Sequence, residues 1–183
     1  NAEEGRLSLV PTGALSKVTD EVLAQALADY GLPVGSALAA YRKAYLGAGA
    51  GDLLAALQTD WYYRIPAIQL ADAHAGSASA TYMYEFAWRS PQYHGLLGAC
   101  HALEIPFVLD ILEDKKTQLL TGPHAPQQLA DTVHAAWAAF ATKGDTGWPR
   151  YDLSRRATMR FNTTSEVVND PRPFERALWD GVR

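Results

Sequence analysis

The stretch YEFAWRSPQYHGLLGACHALEIPFVLDIL, Tyr84 to Leu112, decides how this sequence is read. It opens on an aromatic-rich segment, breaks at Pro91, turns through Gly95 and Gly98, and resumes as an apolar run interrupted by Pro106. Of the two histidines between the apolar segments, His94 and His101, the second lies just past the glycine turn and is followed three residues on by a lone acid, Glu104. Histidine titrates closer to neutral pH than any other side chain, so a glycine-bracketed His is a candidate for moving protons. A catalyst also needs partners, and those have to come from elsewhere in the chain.

Around this stretch the local signals alternate between helix and strand. ATYMYEFAW, Ala80 to Trp88, reads as a buried strand, with Tyr82, Tyr84 and Phe86 on one face and Met83 on the other. LEIPFVLDIL is ambiguous between a short strand and a helix. TDEVLAQALADYG carries an N-cap at Thr19 or Asp20, apolar Val22, Leu23 and Leu27, and a stop at Gly31. A second helix is expected from Ser36 to about Tyr45. A third runs from Asp52 to Ala75, interrupted near Pro66 because the residue before a proline resists the helical conformation. Ala125 to Gly144 is the clearest helix, with Pro126 in its first turn and an apolar stripe of Leu129, Val133, Ala136, Trp137 and Phe140. ATMRFN and SEVVND read as two short strands, and PFERALWDGV as a terminal helix. The mixture is α/β, rich in helix and poor in strands.

Composition narrows the function. The 183 residues are 48% hydrophobic and 20% charged, which is ordinary for a globular domain, and suffice for one hydrophobic core. A net charge of −4 and the lack of any Lys/Arg run argue against a nucleic-acid surface. No apolar run reaches the roughly 18 residues of a membrane span, and the opening residues show no basic-then-apolar leader, which leaves cytoplasmic and secreted locations both open. The chain starts without Met, as though cut from something longer, and Asn1-Ala2 could be either native or a tag remnant.

Each candidate chemistry has a plainer rival. Cys100 and His101 are adjacent and point apart in an extended chain, so a thiol catalyst is disfavoured and Cys100 reads as a small buried hydrophobe. His94, Cys100, His101 and Glu104 match no metal-ligand spacing, so no metal is expected. LGAGAGD follows a helix and lacks the lysine of a phosphate loop, and no cofactor is expected. His74, His124 and His134 have no catalytic context. A serine-hydrolase reading has His101 as base and Glu3 or Glu4 as acid, but G-x-S-x-G appears nowhere in the chain.

The residues of the opening stretch resemble the histidine region of the type B carboxylesterases, the family of the cholinesterases and bacterial para-nitrobenzyl esterases. Gly98, His101, Glu104, Ile105, Phe107 and Val108 fall in register with that family's pattern. NAEEGRL resembles its Asn-x-[Asp/Glu]-Glu-Gly segment and aligns Glu4 with the acid. DWYYRIPAIQLADAHA, AAWAAFATKGDTGWPRYD and ATMRFN resemble later segments in the expected order.

The resemblance implies an α/β-hydrolase fold of which residues 1–183 are the C-terminal portion, and the Ala-rich composition points to a bacterial source. The same resemblance implies His101 as general base and Glu4 as the acid that orients it, with the serine nucleophile on an absent N-terminal portion. The substrate would be a small-molecule carboxylic ester, and the chain would be inactive alone. Glu104 reads as a buried acid bonding its neighbours. A sheet cut at this point would expose strand Thr81–Trp88, so dimers or larger homo-oligomers are expected. The alternative is a non-catalytic cholinesterase-like domain that serves binding or adhesion.

Overall fold

A computed structural model describes residues 1–182. Its elements in chain order are α1 (Arg6–Leu9), a 3₁₀ turn (Leu15–Lys17), α2 (Asp20–Asp29), α3 (Val34–Ala44), α4 (Ala50–Thr59), a π-helical turn (Asp60–Arg64) and α5 (Ile65–His74). Then come β1 (Met83–Phe86), α6 (Ile105–Val108), α7 (Gln118–Thr121), α8 (Gln127–Lys143), β2 (Ala157–Phe161), β3 (Glu166–Asn169) and α9 (Pro173–Ala177). The α/β, helix-rich reading therefore describes the chain.

The sheet has the order β1-β2-β3, with β1 parallel to β2 and β2 antiparallel to β3. Parallel neighbours need a long crossover. The one between β1 and β2 contains both the His101 loop and α8, so one connection fixes the site and covers the sheet. Ala87 N–H donates to Phe161 O on the β2 side, at 2.8 Å. Phe86 C=O therefore points to the opposite edge of β1, where Ala2 N–H reaches it at 2.9 Å.

Two apolar clusters hold these layers together. Helices α2 to α5 pack around Leu23, Leu27, Leu53, Leu57 and Trp179, all at most 1% exposed. Full burial of each Leu contributes about 1.5–3 kcal/mol. The second cluster lies beneath the His101 loop, where Phe86, Leu97, Cys100, Leu103 and Phe107 meet Val133 of α8 and Phe161 of β2.

Several local expectations shift in detail. Thr19 caps α2, its side chain accepting from Val22 N–H, and Val22 itself is exposed. The helix from Asp52 does not break at Pro66. Its axis continues through the π turn into α5, where Pro66 occupies an opening position that needs no hydrogen-bond donor. The segment around Pro106 is a single helical turn, and the strand expected from Thr81 to Trp88 pairs with β2 only from Met83 to Phe86. On α8, Leu129 and Val133 are buried, but Trp137 and Phe140 are 41% and 45% exposed. The stripe outruns the surface it packs on.

A buried polar chain ties helices to sheet. Asp60 accepts from Tyr41 OH at 2.7 Å and from Arg64 at 3.0 Å, while Arg64 also donates to the carbonyls of Pro171 and Arg172. The Arg172 side chain in turn pairs with Glu85 of β1, which also holds Arg160 of β2 at 3.0 Å.

Candidate active site

The loop after β1 is shaped from both sides. Ser90 N–H bonds Gly98 O at 3.1 Å, and the turn between them closes with Gly95 N–H on Pro91 O at 2.9 Å. Gly95 and Gly98 have φ of 81° and 60°, which side chains resist. Leu97, Ala99, Cys100 and Leu103 are all buried, so the loop is anchored on either side of His101 while the imidazole stays 48% exposed. Ala102, directly after it, takes φ 65°, a left-handed conformation that costs a non-glycine residue about 1–3 kcal/mol.

The opening residues supply the partner. Ala2 N–H bonds the end of β1, Glu3 N–H bonds Ala99 O at 3.0 Å, and Gly5 N–H bonds Thr59 Oγ1 at 3.0 Å. A β-carbon on Gly5 would lie 2.4 Å from Ala55 O, so the approach of this segment to α4 requires glycine. Successive residues are thus pinned to strand, loop and helix, and Glu4 is left 8% exposed between them.

Its Oε2 lies 2.8 Å from His101 Nδ1, across 97 positions of sequence. A carboxylate can only accept, so Nδ1 is the protonated nitrogen in this bond and the lone pair of the neutral ring falls on Nε2. Glu4 Oε1 accepts from Asn1 Nδ2, which also donates to Glu104 at 2.5 Å. Glu104 therefore bonds a neighbouring side chain, with Asn1 and Glu4 standing between it and the imidazole.

Glu3, the other acid that the residues alone left open, has a different task. It accepts from Arg6 Nε at 2.8 Å, Arg89 Nη1 at 2.5 Å and Ala99 N–H at 2.9 Å. Arg6 continues to Asp52 at 2.7 Å and to Leu96 O at 2.9 Å. Together these clamp the His101 loop to α1 and α4.

Burial and these acids together shape the local electrostatics. Burial, aided by the charges of Glu4, Glu104 and Glu3, pushes the Cys100 thiol up to about 12. Burial and then Glu104 and Glu4 push the Tyr84 phenol up to about 12.

A cleft of about 450 Å³ opens beside Glu4 and His101, walled by Tyr62, Tyr63, Gln58 and Ser8. The Tyr63 ring lies 5.0 Å from the imidazole, centroid to centroid. No spacing rule points to Tyr63 or to Thr59, since each reaches the site only through packing. Among the described residues, no cluster of three His, Cys, Asp or Glu side chains converges as metal ligands. None of their helices is long and apolar enough to cross a membrane.

A histidine on the loop after a strand of a mostly helix-covered sheet, bonded to a distant acid, is the arrangement of an α/β hydrolase. The chain belongs to the carboxylesterase family, whose model matches residues 36–179. That match includes His101 and leaves Glu4 outside it. Para-nitrobenzyl esterase of Bacillus subtilis (strain 168) is 33% identical over 130 residues, covering 66% of this chain and 25% of that protein. Liver carboxylesterase of Sus scrofa is 27% identical over 143 residues, covering 72% and 24%. The chain thus spans about a quarter of the length of these curated relatives. The carboxylesterase EST55 of Geobacillus stearothermophilus at pH 6.2 superposes on 97% of this chain and 38% of its own, with a TM-score of 0.82 and 28% identity.

Proposed function

We propose that the chain is the C-terminal portion of a carboxylic-ester hydrolase and supplies the base, His101, and the acid, Glu4, of a Ser-Glu-His triad. The observation that carries this reading is the 2.8 Å bond between Glu4 Oε2 and His101 Nδ1. In this role His101 Nε2 takes the proton of a serine hydroxyl as its oxygen attacks the ester carbonyl. It then returns that proton to the departing alkoxide, which leaves as the alcohol. Water, deprotonated by the same nitrogen, cleaves the acyl-serine and regenerates the hydroxyl. Glu4 holds the ring in the required tautomer and balances the imidazolium formed at each step.

The nucleophile and oxyanion donors belong, in this proposal, to sequence outside the chain, and the edge of β1 that receives Ala2 is the place where the rest of the sheet adds on. General-base catalysis supplies about 10²–10⁴-fold, and each oxyanion donor about 10²–10³-fold. The isolated chain should therefore not turn over short-chain nitrophenyl esters above background. Adding a segment that bears the serine elbow, in cis or as a separate chain, should produce turnover that His101→Ala abolishes. Hydrolysis by the isolated chain, or an assembled enzyme indifferent to His101→Ala, overturns the reading. An assembly that binds tightly and hydrolyses nothing points instead to a non-catalytic binding domain.

A further inference from the structure

We infer that Tyr63 is a positioning residue for His101, holding the plane of the imidazole through its ring; the inference rests on the base role proposed above. One hydrogen bond from Nδ1 fixes a single direction and leaves the ring free to turn about it. The half-exposed imidazole therefore needs a second contact to keep Nε2 aimed at one place. The Tyr63 ring, 5.0 Å away and tilted by 35°, is that contact, within the distance range over which aromatic faces attract.

The backbone places Tyr63 there by an irregularity. The turn Asp60–Arg64, which carries Tyr63, is π-helical, and its wider i→i+5 spacing turns the side chains within it away from their regular-helix directions. Asp60, fully buried, holds the turn from within by accepting from Tyr41 OH and Arg64.

Aromatic contacts then run from the core to the site. Trp61 lies against buried Trp179 at 5.7 Å, and Tyr30 stacks on Trp61 at 4.7 Å. Tyr62 sets its edge on Tyr30 at 6.1 Å, and Tyr63 packs on Tyr62 at 6.3 Å. Tyr63 is thereby braced by rings that are themselves braced, so its position is set before any substrate arrives. Its hydroxyl has no part in this, which separates ring packing from proton chemistry.

The test compares Tyr63→Leu with Tyr63→Phe. In NMR spectra of the chain itself, Tyr63→Leu should remove the ring-current shift of the His101 carbon-bound protons and broaden them as the ring samples more orientations. Tyr63→Phe should preserve both features. In the assembled enzyme used to test the proposed function, Tyr63→Leu should lower kcat about tenfold or more with KM little changed, and Tyr63→Phe should restore it. A loss confined to KM makes Tyr63 a substrate wall and overturns the inference, as do unchanged His101 resonances in Tyr63→Leu. Should His101→Ala leave turnover intact, the base reading has failed, whereas loss in His101→Ala with none in Tyr63→Leu refutes the positioning role alone.

Discussion

Gly98 sits so close to Glu3 that a β-carbon on it would lie 2.5 Å from the Glu3 carboxylate oxygen and 2.8 Å from Arg6 Cδ. The glycine also holds φ at 60°, so Gly98→Ala faces strain and collision together. Strain alone costs about 1–3 kcal/mol. The displaced Glu3 would in addition release Ala99 N–H and Arg89, the clamp on the His101 loop. We expect the unfolding free energy measured in urea to fall by at least that amount, whereas Gly95→Ala, where a β-carbon meets nothing within 4 Å, should lose only the strain component.

Glu4→Gln keeps the shape of the side chain and removes its charge. In an assembled enzyme this should reduce kcat on the order of 10³-fold or more, because the amide neither enforces the tautomer nor balances the imidazolium. Circular dichroism should stay native. Glu3→Gln should instead act mainly on loop stability, since its three donors serve the clamp and none comes from His101.

The Cys100 thiol, pushed up to about 12 by burial first and neighbouring carboxylates second, should resist alkylation by iodoacetamide at neutral pH until the protein is unfolded. The same shift has a stability consequence. In the unfolded chain the thiol ionises near pH 8.5, while in the fold it and the Tyr84 phenol stay protonated to about 12. Above pH 8.5 the unfolded state releases protons that the native state retains, so stability falls as pH rises. Thermal unfolding should show a steadily decreasing Tm from about pH 9 upward, less steep in Cys100→Ala.

Glu85 tests the acid side. Burial alone would raise its pKa, but Arg172 and Arg160 outweigh burial and hold the carboxyl below its usual range. Its contribution is present above the unfolded carboxylate range and is lost as pH falls through the depressed value. Glu85→Gln leaves two guanidinium groups without the charge they share and should destabilise by about 1–3 kcal/mol. The measurable outcome is a lower denaturant midpoint at pH 7 and a shallower loss of stability on acidification than in the parent chain.

What the sequence determined by itself is local. The stop at Gly144, a cap at Thr19 or Asp20, the strand before Pro91 and the two short strands flanking Asn162 all obey rules that span three or four residues, and their signals sit next to the structures they cause. The resemblance to the carboxylesterases rested on such short patterns in order along the chain. The exposure of Trp137 and Phe140 was not legible, because an apolar stripe does not state how much surface it will meet. Nor was the π turn, which continues an axis that Pro66 seemed bound to break.

Tertiary structure supplies the physical reason why Glu4, the acid the family pattern named, and not its neighbour Glu3 meets the imidazole. Glu3 and Glu4 have the same chemistry and nearly the same place in sequence, but pinning Ala2, Glu3 and Gly5 to three different elements turns one carboxylate to the arginines and the other to His101. Tyr63 reaches the same ring from a helix 38 positions earlier in the chain (101 − 63). Such contacts depend on how closely layers approach, as Gly5 does to the Ala55 carbonyl. Close approach is a property of the packed core, so no window of neighbouring residues contains it.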